Sequence, residues 1–428
     1  MYRQIYSKLI PLGLRKALRG FFAFKPWQLI FLPLYPLVSI LGFKRRKRII
    51  PDIDKILVIN LGATGDNLLS TPAIKALKER FPQASIDIMT GSLTSMQAYL
   101  NNPRIRRVFR VQQFPTASIK YKFAKKSRII LSTLKVFYYY PTLVLSLLFK
   151  NYKLGINFCA FKGGANFSDI IMYLCGIPNR IGGFSQYPEL LTAKKENLHT
   201  LSWIDSYLAI ASLAGAETFD TELEFFLSND DEIFVRDFLK ENNIDEQNII
   251  LDVSPGANTY VNNKRWNIAN FAEVINKLKD NYNFNLLLLG SREEEQLISD
   301  LRKKLKMKAV FLLGAELSKV AALLKKSDIL LTNDNAILHL GNAVGVSHII
   351  SVFGPTNPTK IVPKNNRNKY LVSRLECAPC IDIDAGDESK KCPRPHGQEC
   401  FDSVKPDQVY NELKNSFSQV TKTKVIKK

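Results

Sequence analysis

The chain has 428 residues, of which 46% are hydrophobic, and a formal net charge of +21. This length and apolar content suit two globular domains and exclude a largely disordered chain. Residues 1–50 contain eleven Lys and Arg and no acid, residues 104–153 contain twelve and no acid, and the remainder is nearly neutral. Because the excess charge is confined to two stretches that also carry long apolar runs, we expect no nucleic-acid partner.

The first fifty residues predict a basic, apolar arm. Its apolar run, 27–43, is interrupted by Pro33 and Pro36, whereas a transmembrane helix needs roughly 20 apolar residues. No small-residue cleavage site follows, so we predict no cleaved signal peptide. Cations beside aromatic and aliphatic residues suit an anionic membrane surface, and the run 136–149 in the second basic stretch has the same character. We therefore expect peripheral membrane association; the alternative is an arm packed on the protein itself.

After the arm, the chain predicts a strand, a turn and a helix. Residues 55–60 form a buried-strand pattern, 61–66 a glycine-containing turn, and 67–81 a helical pattern. The next strand, 84–89, completes a βαβ unit with a parallel sheet. Ligands of such sheets bind at the carboxyl ends of the strands. The turn at 61–66 is therefore a candidate site.

A second series of the same kind begins with a strand at 249–253, the loop Ser254-Pro-Gly-Ala257 and a helix at 267–279. Strands follow at 284–289, 309–313, 329–332 and 348–353, with helices at 293–305, 317–325 and 337–344 between them. Two separate series predict an α/β protein with two doubly wound domains that face a cleft. The acidic stretch 217–246 is the predicted boundary, giving domains at 51–225 and 226–428.

The first turn contains Gly62-x-x-Gly65 and Asp66. Two glycines after a strand can belong to a dinucleotide fingerprint, but Leu68 occupies the third glycine position and no acid ends the next strand. An NAD(P)-dependent oxidoreductase or epimerase therefore stays as the alternative. Asp66 begins a helix, where a carboxylate either caps the helix or faces the cleft.

Two further clusters carry charge at predicted loop positions. Lys264-Arg265-Trp266 precedes a helix, and a cation there can bind phosphate or remain a solvated charge. Asn333-Asp334 follows a strand and precedes the helix that carries His339. Backbone N–H groups and the helix dipole favour an anion at such a position, although Asp334 also suits a helix cap.

Four cysteines crowd the segment 377–400, namely Cys377, Cys380, Cys392 and Cys400. Cys377-x-x-Cys380 has the spacing of a metal knuckle, and two further thiols follow, which predicts a structural zinc site. Free thiols or disulfides in a surface loop are the alternatives.

Taken in order, these motifs resemble glycosyltransferase family 9, the heptosyltransferases that build bacterial lipopolysaccharide cores. The resemblance runs from about Lys55 to the end of the chain, and the cysteine segment resembles one branch of the family. The similar segments are 65–73 (GDNLLSTPA), 254–257 with 264–266, 288–291 with 293–295, and 333–340 (NDNAILHL) with Gly345 and 353–356.

The resemblance implies a GT-B fold of two Rossmann-like domains, with the acceptor on the first domain and a nucleotide sugar on the second. It implies inverting transfer without a catalytic metal or other cofactor, from ADP-heptose to a lipopolysaccharide core at the cytoplasmic face of the bacterial inner membrane. Asp66 would be the general base, and Lys264 would stabilise the leaving diphosphate. The residues implied to contact the donor are Gly65, Thr259, Lys264, Glu293 (or its neighbour Glu294), Asp334, Asn335, Ala336 and His339.

The chain departs from the family pattern at one place. After the aspartate of its most specific segment the family usually has a small residue and then glycine, where this chain has Asn335 and Ala336. A Cβ would alter the diphosphate contact if the backbone there needs close approach or a positive φ. The departure leaves open a different donor and a non-catalytic, membrane-bound relative.

Overall fold

The structure is a computed structural model, and it describes residues 53–111, 139–159, 162–185, 187–257, 264–381, 392 and 399–426. The basic arm at 1–50, residues 112–138 of the second basic stretch, and Thr259 lie outside the described residues. Within the described ranges, none of the helices combines the length and the hydrophobicity that a membrane span requires.

The first sheet has six parallel strands. They are β1 (Lys55–Asn60), β2 (Ser85–Thr90), β3 (Ile105–Arg110), β4 (Leu154–Asn157), β5 (Asn179–Gly182) and β6 (Ala193–Lys194), and their order across the sheet is β3-β2-β1-β4-β5-β6. Central strands β1 and β2 are buried almost from end to end, as expected when helices cover both faces of a parallel sheet.

The helices of this half are α1 (Thr64–Leu69), α2 (Thr71–Arg80), α3 (Leu93–Gln97), α4 (a helix that includes 139–148), α5 (Lys162–Leu174) and α6 (Trp203–Ala211). Three short 3₁₀ helices lie at Pro188–Leu190, Leu198–Thr200 and Ser212–Ala214.

The second sheet repeats the same topology. Its strands are β7 (Ile249–Ser254), β8 (Phe284–Gly290), β9 (Val310–Leu313), β10 (Ile329–Asn333), β11 (His348–Phe353) and β12 (Asn368–Val372), all parallel, in the order β12-β11-β10-β7-β8-β9. In each sheet the strand order reverses beside the first strand, between β1 and β4 and between β7 and β10. Ligands of doubly wound folds bind at these switch points.

The helices of the second half are α7 (Asn229–Glu241), α8 (Ile268–Lys279), α9 (Glu295–Lys304), α10 (Leu317–Leu324), α11 (Ala336–Val344), α12 (Pro358–Ile361), α13 (Glu399–Asp402) and α14 (Pro406–Ile426), with a 3₁₀ turn at Arg292–Glu294. Helix α14 buries Val409, Leu413 and Phe417 in the core of the second sheet. Their spacing of four residues places them on one helix face.

The predicted helix over 67–81 was wrong as a single element. Helix α1 ends at Leu69, and α2 begins at Thr71 with Pro72 in its first turn. Proline has no backbone N–H and fits only the first turn of a helix, so a new helix begins there. The break leaves α1 as a short, separate helix that holds Asp66.

Some cations in the described part of the second basic stretch have acidic partners in the first domain. It begins with β3, where Arg106 makes a bidentate contact to buried Asp87 at 2.6 and 2.9 Å and Arg104 pairs with Glu224 at 2.7 Å. Helix α4, from the apolar run 136–149, buries Val144 in the core of the first sheet. These residues stabilise the first domain, which sequence spacing could not reveal because Asp87 and Glu224 lie far away along the chain.

Candidate active site

One cleft of about 930 Å³ lies between the two sheets and is lined from both sides. The first half contributes the turn after β1, from Leu61 to Asp66, together with residues of α3. The second half contributes the loops after β7, β8 and β10 and the start of α11. The cleft therefore joins the switch points of both sheets, and it brings together Gly65, Asp66, Lys264, Asp334, Asn335, Ala336 and His339.

The turn after β1 holds Asp66 in the cleft through its own hydrogen bonds. The Asp66 carboxylate accepts the backbone N–H of Ala63 at 2.8 Å, which makes it a cap of helix α1 as well as a lining residue. Asn67 donates to the carbonyls of Gly62 and Ala63 at 3.0 and 2.8 Å. The side chain of Asn60 accepts from Gly62 N–H at 3.2 Å and donates to the Asp66 carbonyl at 3.3 Å. The turn is thus fixed before any acceptor binds.

Lys264 and Asp334 meet across the second half of the cleft. Their side chains pair at 2.9 Å, with exposed fractions of 16% and 7%. The Thr356 hydroxyl donates to the same Asp334 oxygen at 2.7 Å. The sequence placed these residues in two separate motifs, and the fold joins them because β7 and β10 are neighbours in the sheet.

Asn335 is the N-terminal cap of helix α11. Its side-chain oxygen accepts from the N–H groups of Ile337 and Leu338 at 2.9 and 3.3 Å. Its amide nitrogen donates to Ser254 Oγ at 3.1 Å and to the Gly256 carbonyl at 2.8 Å. Asparagine therefore links the β10 loop to the β7 loop, which a smaller residue could not do.

The backbone at Asn335 and Ala336, where the chain departs from the family pattern, needs no glycine. Asn335 has φ −149° and ψ 178°, an extended conformation open to any residue, and Ala336 is the first residue of α11. Neither residue has a positive φ. The departure therefore imposes no strain of the kind that a Cβ in the left-handed region would cause.

The sequence left two glutamates, Glu293 and Glu294, as candidates for the acidic contact. Glu294, not Glu293, lines the cleft. The 3₁₀ turn at Arg292–Glu294 directs the Glu294 carboxylate back to the N–H of Ser291 at 2.9 Å, and Arg265 lies 3.4 Å from its other oxygen. Glu293 is exposed.

His339 lies on the second turn of α11, facing the first domain. It is 5% exposed, and burial lowers its pKa to about 4, so the imidazole is neutral at neutral pH. A Cβ built on Gly65 would lie 2.8 Å from Cδ2 of this ring. The two halves therefore approach each other closely at Gly65 and His339.

Sequence reasoning missed the remaining lining residues of the first half, Thr94, Gln97 and Trp203. Gln97 accepts the backbone N–H of Leu317 at 2.7 Å, which is a direct hydrogen bond between the halves. Trp203 stacks on Phe184 with ring centroids 5.6 Å apart. No motif marks these residues, since α3 and α6 lie outside the segments with recognisable patterns.

The four cysteines of the segment 377–400 all fall within the described residues, and none forms a disulfide. Burial, with smaller contributions from the other three cysteines, raises the pKa of the Cys400 thiol to about 11, so the four sulfurs share one neighbourhood. A metal would have to bind thiolates and lower this pKa. In the described ranges, no three His, Cys, Asp or Glu side chains are gathered closely enough to hold a metal ion. The zinc site stays a prediction.

Comparison with known proteins finds a match to one family model over part of the chain. Residues 195–390 match the model described as glycosyltransferase family 9 (heptosyltransferase). No protein with a curated description matches the sequence.

Solved structures extend the similarity to both halves. A glycosyl transferase family 9 protein from Veillonella parvula superposes with a TM-score of 0.68 at 18% identity, covering 87% of this chain and 99% of that one. The E. coli ADP-heptose lps heptosyltransferase II gives 0.63 at 18% identity, covering 86% and 99%. The iron-containing dodecameric glycosyltransferase TibC from E. coli gives 0.51 at 12% identity, covering 86% and 77%. At these identities the likeness shows the fold, which is the GT-B type with two Rossmann-like domains.

Proposed function

We propose that the chain is a glycosyltransferase of family 9, whose model matches residues 195–390, and that it transfers a heptose from ADP-heptose to a lipopolysaccharide core acceptor. The observation that carries this proposal is the single cleft with Asp66 on one wall and the Lys264–Asp334 pair on the other. A base and a cation that face each other across one cavity suit transfer between an acceptor hydroxyl and a diphosphate-linked sugar.

In this mechanism Asp66 takes the proton from the acceptor hydroxyl. The turn that holds Asp66 belongs to the first domain, so the acceptor binds on that side of the cleft. The oxygen of the deprotonated acceptor hydroxyl then attacks the anomeric carbon from the face opposite the diphosphate. The bond between that carbon and the diphosphate breaks, and the configuration of the carbon is inverted. The hydrogen bond that the Ala63 N–H donates to the Asp66 carboxylate, at 2.8 Å, holds the carboxylate in place during this step.

Lys264 and the start of α11 receive the diphosphate. Lys264 provides a cation, and α11 provides the partial positive charge of a helix N-terminus. Before donor binds, Asp334 neutralises Lys264 at 2.9 Å. When a phosphate takes over part of this pairing, Asp334 becomes available to accept hydrogen bonds from sugar hydroxyls. No metal takes part in the proposed step.

Glu294 completes the donor side in this proposal. A carboxylate that already accepts from Ser291 N–H still has lone pairs for ribose hydroxyls, and it lies at the carboxyl end of β8. The oxidoreductase alternative has less support, since Leu68, in the third glycine position of the fingerprint, is fully buried in α1.

The function is tested by direct transfer and by binding. Purified protein should transfer heptose from ADP-heptose to a truncated lipopolysaccharide core, and calorimetry should show that ADP binds more tightly than UDP, GDP or NAD⁺. Mass spectrometry of lipopolysaccharide from a deletion strain should show loss of one heptose. Tighter binding of UDP would overturn the donor assignment, while nucleotide binding without transfer to any acceptor would favour a non-catalytic relative.

We further propose that the protein acts at the cytoplasmic face of the inner membrane, held by the arm at 1–50. Eleven cations there contribute about 1 kcal/mol each near an anionic surface, before screening by salt. Deletion of residues 1–49 should move the protein from anionic vesicles to the supernatant while its melting temperature stays unchanged, because β1 begins only at Lys55. An arm packed on the protein predicts the reverse, namely unchanged sedimentation with a lower melting temperature.

A further inference from the structure

Two separately fixed pieces of backbone meet at the contact between Gly65 and His339. On the first-domain side, Asn60 and Asn67 tie the Asp66 turn to its own sheet. On the second-domain side, the Asn335 cap ties α11 to the β7 loop. Each piece is held by several hydrogen bonds within its own half, so neither adjusts readily when the halves come together.

The contact leaves no spare space. A methyl group on Gly65 would lie 2.8 Å from Cδ2, 3.3 Å from Nε2 and 3.8 Å from Cγ of the His339 ring. Non-bonded carbon atoms pack at about 3.5 Å or more, so the methyl group would force the two pieces apart by about 0.7 Å. The imidazole is rigid and buried, and it offers no flexible end that could move aside.

Gly65 lies beside the proposed general base, and His339 lies near the proposed binding site of the donor phosphates. Gly65 directly precedes Asp66, and His339 lies one helical turn after Asn335 and Ala336, where the donor phosphates would bind in the proposed function. The ring is neutral at neutral pH because burial lowers its pKa to about 4. It therefore contributes bulk at this place rather than charge.

We propose that His339 is a positioning residue, whose ring is the stop against which Gly65 rests, and that this contact sets the distance between Asp66 and the donor. The proposal rests on the proposed function and assigns His339 a role other than donor contact. It requires glycine at 65 because any side chain there would hold the two halves too far apart.

A double-mutant cycle tests the contact. Gly65→Ala should lower kcat by at least about tenfold, because misplacement by a fraction of an ångström disturbs an in-line reaction. Its KM for donor and its affinity for ADP should stay within about twofold of wild type, because the proposal gives Gly65 a spacing role in place of the donor contact that the resemblance implies. His339→Ala should also lower kcat, because the stop is lost. The combination should have a higher kcat than Gly65→Ala alone, because removal of the ring makes room for the methyl group.

Gly341→Ala is the matched control on the same helix. A Cβ there would lie 2.7 Å from Leu330 Cδ2, in the core and away from the cleft. This variant should lower the melting temperature, and His339→Ala should not restore its kcat. If His339→Ala raises the kcat of Gly65→Ala but not that of Gly341→Ala, general destabilisation of α11 cannot be the cause.

Several outcomes overturn the proposal. The first is that the effects of Gly65→Ala and His339→Ala on kcat multiply in the double variant, which would mean that the two residues act independently. The second is an unchanged kcat in Gly65→Ala. The third is a loss of ADP affinity in His339→Ala, which would make His339 a donor ligand. Coupling in melting temperature without coupling in kcat would make the contact purely structural. If the wild type transfers no sugar, the proposed function is wrong. In that case the contact would also be refuted if the changes in melting temperature caused by the two substitutions were additive in the same cycle.

Discussion

Asp66 has two roles in the proposed mechanism, and two substitutions separate them. Its carboxylate caps helix α1 by accepting the N–H of Ala63 at 2.8 Å, and it faces the cleft as the proposed general base. Asparagine also has a side-chain oxygen that can accept this N–H, whereas it cannot take a proton from a hydroxyl. Alanine can do neither.

Asp66→Asn should therefore keep the stability and donor affinity of the wild type while its turnover falls by roughly 100-fold or more. That loss corresponds to about 2.7 kcal/mol of transition-state stabilisation. Asp66→Ala should lose the same turnover and, in addition, about 1 kcal/mol of stability, which is the usual contribution of a helix cap.

The assay combines single-turnover transfer of heptose with urea unfolding of the three proteins. Turnover in Asp66→Asn within a fewfold of wild type would mean that Asp66 is only a cap, and the base would have to be sought elsewhere on the first-domain wall. Equal stability of the two variants would instead refute the capping role.

Lys264→Ala should weaken ADP binding about 10- to 100-fold by calorimetry, as expected for loss of a charged hydrogen bond of about 1.5–3 kcal/mol; unchanged affinity would remove Lys264 from the donor site. Burial raises the pKa of Asp252 to about 7, so its contribution to stability is present at low pH and is lost as the pH rises towards that value. The free energy of unfolding should therefore fall by about 3 kcal/mol more in the wild type than in Asp252→Asn between about pH 5 and pH 8, and equal falls would contradict the assignment. Protein purified without chelator should contain about one equivalent of zinc that is lost in Cys380→Ser; less than about half an equivalent in the wild type would count against a metal at the four cysteines.

The second sheet could be predicted closely from the sequence. The strand predicted at 348–353 coincides with β11, and the one at 249–253 differs from β7 by a single residue. These strands are central and parallel, so they are continuous apolar runs bounded by turn residues. The same pattern predicted the loops in which Lys264 and Asp334 lie, although not their contact.

The outer part of the first sheet could not be predicted in this way. Strand β3 lies at the edge of the sheet and has three arginines among its six residues, which resembles a basic surface segment when its partners are unknown. Arg106 is explained only by Asp87 on the neighbouring strand. A charge in a strand is therefore interpretable only once the pairing of strands is known.

The residues of the candidate site likewise fall into those that a local sequence pattern predicts and those that only the fold explains. Asp66 and Asp334 were found because each follows a strand and lies at or just before the start of a helix, which is a local pattern. The choice between Glu293 and Glu294 depended on the direction of a 3₁₀ turn, and the role of Gly65 depended on His339 in the other half. Contacts between the halves leave no trace in a local pattern.

Some of the contacts between the halves are of a kind that separates easily, beside the buried apolar residues of both halves that pack in one cluster. Several are polar and partly exposed: Gln97 accepts from Leu317 N–H at 2.7 Å, Lys360 donates to the Leu201 carbonyl at 3.0 Å, and Lys364 lies 3.2 Å from Asp205. An exposed ion pair contributes only about 0–1 kcal/mol, since water replaces it when the partners separate. Opening the cleft for a nucleotide sugar therefore costs little at these contacts, while the internal hydrogen bonds of each half stay intact. Polar contacts of this strength do not define a distance to a fraction of an ångström, so the geometry of the closed site has to come from a hard contact such as that between Gly65 and His339.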